Sequence, residues 1–225
     1  MDATLKHPFT CMVAGPTSCG KTHWVSNLLR FKDIMITPKI EKVIWCYSKW
    51  QPTYDKLKGI VDTFQEGLEN LKPDEKKVNT IVVLDDLQRE AQNGQVAEIF
   101  ERGSHHDNMS IIYITQNVFH QGRDTRDISL NTHYMVYFKH PRDRSQITNL
   151  ARQVFPQNVK FLQGAYDNAT HKAHGYLFLD FKQTTPDEIR FRTNILPCEN
   201  SWPVVYIPEQ SLDRSDRKKK QTNSQ

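Results

Sequence analysis

The sequence predicts an α/β domain with a mostly parallel central sheet flanked by helices. Three observations carry that prediction. Apolar runs of strand length alternate with helical patterns as far as Val154. A glycine-bearing loop at 15–22 joins the first apolar run to the first helical pattern. Ile81-Val-Val-Leu84 is unbroken and apolar, as a strand covered on both faces requires.

Taken in order, Phe9 to Ala14 reads as a short buried strand, and Lys21 to Phe31 as the helix after the loop. Lys42 to Tyr47 is a second strand, residues 51 to 59 look helical, and Ile60 to Phe64 has the composition of a further short strand. Leu71 to Asn79, charged and holding Pro73, reads as a solvated loop. Thr80 to Leu84 and Ser110 to Thr115 are buried strands on either side of a helix near 94 to 102. Tyr134 to Phe138 is another strand, followed by an amphipathic helix from Asp143 to Val154. Beyond Pro156 come a helix near 158 to 168 and then the runs Gly175 to Phe181 and Ile189 to Ile195. The second run alternates apolar with polar residues, which predicts a C-terminal antiparallel edge hairpin with one wet face.

The chain has 225 residues, enough for one such domain with tails. We divide it into a lead at 1–7, the domain at 8–197, and a tail at 198–225 that is basic and expected to be disordered from 213. With 37% hydrophobic and 25% charged residues, the composition excludes a disordered or fibrous chain. Of the net charge of +4, residues 213–225 contribute +3, from five basic and two acidic side chains. The folded body is therefore not a polycation, and any nucleic-acid contact has to come from a local patch or loop. The apolar runs fall far short of the roughly 20 residues that cross a bilayer, and MDATLKHPF has no secretion-signal pattern. An intracellular chain with no membrane partner is expected. Cys11, Cys19, Cys46 and Cys198 fall singly, as reduced thiols do.

The chemistry-bearing motif is Gly15-Pro16-Thr17-Ser18-Cys19-Gly20-Lys21-Thr22, followed by His23. It fits GxxxxGK[ST] between a strand and a helix, where backbone N–H groups and the helix N-terminus can face phosphate oxygens. Lys21 would then reach the β and γ phosphates of ATP, and Thr22 would offer its hydroxyl to Mg²⁺. Asp85 and Asp86 end the apolar strand at 80–84. Asp85 suits the metal side of the site, and Asp86 is the candidate general base for an attacking water. Gln116, where the next apolar strand gives way to polar residues, is placed to reach the γ-phosphate or that water. His105 and His106 have no Cys or His partners at zinc-ligand spacing.

In that order GPTSCGKT, IVVLDD, SHHDN and IIYITQN resemble the DNA-packaging ATPases of the FtsK/HerA superfamily. The resemblance is to the poxvirus type, and more closely to those of Polinton (Maverick) elements and adintoviruses. It covers about residues 7 to 197, including GYLFLDFKQTTPDEIRFRTNI. It implies a P-loop NTPase of the additional-strand class, working as a homo-oligomeric ring of five or six subunits. Such a ring uses ATP to drive double-stranded DNA into a capsid, with capsid proteins as partners, in the host nucleus or in the virion or viral factory. The cellular members often carry Asp-Glu where this chain has Asp85-Asp86. The resemblance also implies an arginine finger from a neighbouring subunit, for which Arg102 is the first candidate and Arg123 and Arg126 are the rivals. The tail DRSDRKKKQ reads as a nuclear-localisation signal, a phosphate-contacting arm or a solubilising end. Residues alone also admit a P-loop nucleotide kinase, an assembly protein that binds nucleotide without sustained turnover, and a helicase. The kinase reading leaves IIYITQN without a role.

Overall fold

The computed structural model describes residues 4–69, 71, 78–87, 90–91, 93–105, 108–118 and 128–208, with the backbone alone at 101–105. In chain order the elements begin with β1 (Leu5–Lys6), β2 (Thr10–Ala14), α1 (Lys21–Arg30), α2 (Lys32–Met35), β3 (Ile36–Thr37) and β4 (Lys42–Tyr47). A 3₁₀ helix (Pro52–Leu57), β5 (Thr63–Glu66), β6 (Thr80–Asp85), α3 (Gln95–His105) and β7 (Met109–Thr115) come next. The remainder is β8 (Tyr134–Phe138), α4 (Ser145–Val154), α5 (Val159–Ala169), β9 (Tyr176–Asp180), β10 (Phe191–Thr193) and β11 (Val204–Tyr206).

Among the described residues nine strands form one sheet, in the order β11-β10-β9-β8-β2-β7-β6-β4-β5. From β8 to β5 every pair is parallel, and β9, β10 and β11 join antiparallel. The chain is an α/β P-loop NTPase fold with its parallel sheet between helices, as the sequence predicts.

Because side chains alternate across a strand, the buried strands feed two cores. Met12 and Ala14 of β2, Val82 and Leu84 of β6, and Ile111 and Tyr113 of β7 share one core with α3, α4 and α5. Their neighbours Cys11, Val13, Ile81, Val83, Ile112 and Ile114 face the other, where α1 contributes Trp24, Val25, Leu28 and Leu29. Burial on both faces is the reason these strands read as continuous apolar runs.

The antiparallel edge differs from the sequence reading in two respects. All three β10 residues are buried, so the hairpin has no wet face there. Its polar member, Arg192, is enclosed with Asp180 at 2.8 Å and lies over the Phe178 ring, while Phe191 packs on Phe155 and Phe161. The outermost strand is β11, drawn from the segment read as tail. Within the stretch read as a lead, β1 pairs with β3. Residues 51 to 59 form a tighter 3₁₀ turn over Pro52–Leu57. Most of the 71–79 loop, the tail from 213, and the rival arginines Arg123 and Arg126 lie outside the described residues.

Candidate functional site

Parallel strands end on one edge of a sheet, and the register fixes which ends meet there. Ala14 lies beside Thr115, and Asp85 lies beside Ile114. The loop that follows Ala14, the carboxylate of Asp86 and the side chain of Gln116 therefore emerge at one crevice. The strand bearing Gln116 sits between the loop strand and the Asp85 strand, which is the arrangement that defines the additional-strand class.

The loop is held mainly by its own backbone. Gly15 N–H donates to Thr115 O at 3.2 Å, and Cys19 N–H donates to Pro16 O at 3.3 Å. The Lys21 ammonium donates to the carbonyls of Gly15 at 2.7 Å and Pro16 at 2.9 Å. A side chain on Gly15 would bring a Cβ to 2.7 Å from Phe138 and 2.8 Å from Cys19 Sγ, so the first motif glycine is required by close packing. Gly20 has φ 110° and caps α1 without any side-chain bond, and the first turn of α1 holds no acidic residue. Its leading N–H groups are thus left to an external anion. Ser18 (φ 64°) and Asp86 (φ 58°) are both left-handed, a strained conformation for residues other than glycine that recurs at ligand sites.

These groups surround a cleft of about 430 Å³. Thr17, Ser18 and the run Gly20 to His23 line it together with Asp85, Asp86 and Gln116. Asp85 is 4% exposed, and burial pushes its carboxyl up to about 6. The neighbouring Asp86 charge adds to the rise, while the Tyr54 hydroxyl, Lys21 and the Thr22 hydroxyl oppose it. Burial likewise pulls the Lys21 ammonium below its usual value, against the anionic pull of Cys19, Asp85 and Asp86. The Thr22 hydroxyl and the Asp85 carboxylate line the same cleft, and the hydroxyl opposes the rise in the Asp85 value, so two oxygen donors face one space. Such hard oxygen donors suit Mg²⁺.

Several residues here carry no sequence signature. The buried Tyr54 hydroxyl donates to Asp85 Oδ2 at 3.0 Å, and its ring is packed among Trp45, Tyr47, Trp50 and Phe64. Gln51 and Thr53, from the same turn, also line the cleft. Nδ1–H of His174 donates to Cys19 O at 3.0 Å across 155 residues of sequence, fastening the α5–β9 turn to the loop. The aromatic density of 45–54 was a legible sign of a packed cluster, but nothing in it points to Asp85. Arg102 falls differently. It sits in the last turns of α3, close to the start of β7, and hence toward the sheet edge opposite the cleft of its own chain. Its side chain, that of His105, and His106 lie outside the described residues.

Neither protein-family models nor curated proteins give a match to the chain. Solved structures do. The genome packaging NTPase B204 from Sulfolobus turreted icosahedral virus 2, solved in complex with ATP-gammaS, aligns with a TM-score of 0.53 at 14% identity, over 79% of this chain and 94% of that one. The cytoplasmic domain of the Thermomonospora curvata Type VII secretion ATPase EccC aligns with a TM-score of 0.52 at 12% identity. That match covers 79% of this chain, which spans about a quarter (24%) of the EccC domain. At these identities the likeness is one of fold. Among the described residues no helix is long and apolar enough to cross a membrane.

Proposed function

We propose that the chain is an ATP-driven translocase that moves double-stranded DNA into the capsid of a virus or virus-like element. One observation carries the ATPase half of this reading: Lys21, Thr22, Asp85, Asp86 and Gln116, spread over 96 positions of sequence, line one cleft beside an uncapped helix N-terminus. The DNA half is supported by the motif resemblance and by the likeness in fold over nearly the whole length of B204, a viral genome packaging NTPase.

In this reading the α1 N-terminus and the loop N–H groups cradle the phosphates. Lys21 exchanges its bonds to the Gly15 and Pro16 carbonyls for the β and γ oxygens. Thr22 and Asp85 would hold Mg²⁺, which when bound offsets charge on the phosphate oxygens. The Tyr54 hydroxyl fixes one Asp85 oxygen and so orients the carboxylate. Asp86 takes the proton of the attacking water, and Gln116 positions that water. Arg102 reaches the γ-phosphate of an adjacent subunit in a ring of five or six copies, with capsid proteins as further partners. The work is done in the host nucleus, the viral factory or the virion.

The test is phosphate release from ATP with and without duplex DNA, alongside a nucleoside. Wild-type protein is expected to hydrolyse ATP faster with duplex DNA and to be indifferent to the nucleoside. Lys21→Ala is expected to abolish turnover and weaken nucleotide binding. Stimulation by the nucleoside alone would make the chain a kinase, and tight binding without turnover would make it an assembly protein.

A further inference from the structure

A second cavity, of about 820 Å³, opens on the other side of the loop and shares Gly20 and His23 with the phosphate cleft. Its remaining walls come from α1, from the turn between α5 and β9, and from the segment running from β10 to β11. None of these residues belongs to the phosphate loop, the paired aspartates or the Gln116 motif.

The walls are firmly built. His174 ties the turn to Cys19 of the loop at 3.0 Å. Gly175 is packed so tightly that a Cβ would stand 2.4 Å from Ala169 O. Glu199 accepts from the Tyr176 hydroxyl and from Leu196 N–H, both at 2.9 Å, which braces the segment between β10 and β11. The Tyr206 hydroxyl donates to Asn168 Oδ1 at 2.8 Å, joining β11 to α5.

Direction decides what this cavity is for. Asp85, Asp86 and Gln116 stand at the ends of β6 and β7, so the reacting end of a bound triphosphate points toward that side of Lys21. A triphosphate is a linear chain, and its other end must leave past Gly20 and the first turn of α1, on the side of β8 and β9. There the second cavity begins. Its lining combines the aromatic Trp24 and Tyr176 with the amide side chains of Asn27 and Asn168, a mixture suited to a flat heterocycle with polar edges and its attached sugar.

We propose that this cavity holds the nucleoside half of ATP, so that the C-terminal antiparallel strands, and not the P-loop motifs, supply the walls that distinguish a nucleotide from a bare phosphate chain. This rests on the nucleotide reading of the phosphate cleft and adds to it. Ala173 and Ser201 line the cavity and are exposed, so each accepts a bulky substitution without disturbing the core. Mg²⁺ complexes of ATP-gammaS and of inorganic triphosphate are titrated against wild type, Ala173→Trp and Ser201→Trp. Filling the cavity is expected to weaken ATP-gammaS binding by roughly tenfold or more in at least one variant while triphosphate binding stays within about twofold. A second measurement needs no variant: Cys198 lines the cavity, and its alkylation, read by peptide mass spectrometry, is expected to slow with ATP-gammaS but not with triphosphate. Unchanged ATP-gammaS affinity in both variants, equal losses for the two ligands, or Cys198 alkylation indifferent to ATP-gammaS would each overturn the assignment. If wild type binds neither ligand, the nucleotide reading itself falls.

Discussion

At the scale of single residues, two adjacent carboxylates have different surroundings, and the proposed division of tasks rests on that difference. Asp85 is buried and held by Tyr54, whereas Asp86 is exposed and left-handed. Asp86→Asn should keep nucleotide binding and lose roughly 10²- to 10⁴-fold in hydrolysis rate, the loss of a general base. Asp85→Asn should instead weaken Mg²⁺-dependent nucleotide binding. Titrations of ATP-gammaS with and without Mg²⁺ on both variants separate the two, and identical behaviour would refute the division. Burial of Asp85 also predicts a pH effect on the nucleotide-free protein. Its folded value of about 6 lies above the ordinary 3.8, so the fold favours the neutral form, and stability is lost as pH rises between those values. At about 1.36 kcal/mol per pH unit, the shift amounts to about 3 kcal/mol. Asp85→Asn escapes that loss, so its stability relative to wild type should grow by up to about 3 kcal/mol between pH 4 and pH 7. Denaturant unfolding at the two pH values checks this, and a pH-independent difference would contradict it. The paired acids were legible because they end an apolar strand after a P-loop. Tyr54 was not, since its role depends on β4 and β6 being neighbours, which no local pattern states.

At the scale of elements, the parallel strands were readable because burial on both faces leaves an unbroken apolar run, and α1 because the loop motif dictates its start. The C-terminal strands were harder to read. The alternation in Ile189-Arg-Phe-Arg-Thr-Asn-Ile195 signals one exposed face, yet Arg192 is only 4% exposed, with Asp180 as its partner on β9. Pairing conceals a charge from any pattern based on hydrophobicity, because the partner is supplied by a different strand. Arg192→Met should cost about 3 to 5 kcal/mol, since it leaves the Asp180 carboxylate buried without its cation. Adding Asp180→Asn should recover part of that loss. Denaturant unfolding of the single and double variants measures both, and a loss below about 1 kcal/mol for Arg192→Met would show that the pair does not hold the β9–β10 edge. β11 escaped notice because a run of three residues, none of them fully buried, is too short to stand out.

At the scale of the whole molecule, the cleft lies at one edge of the sheet and the last turns of α3 lie toward the other, which is why the finger proposed at Arg102 is assigned to the phosphate of another subunit. A finger supplied in trans is worth about 10³- to 10⁵-fold in rate. Arg102→Ala and Lys21→Ala should both be inactive alone, and mixing them should restore partial turnover, because some interfaces then join a sound cleft to a sound finger. A mixture that stays inactive although mixed oligomers form would move the role to Arg123 or Arg126. The function proposed for the chain is motion along duplex DNA, and displacement of a third strand from a triplex reads that motion directly. Wild-type protein is predicted to release the third strand only with hydrolysable ATP, while Lys21→Ala and ATP-gammaS release none. Sustained ATP hydrolysis by wild-type protein bound to the duplex, with the third strand left in place, would contradict translocation.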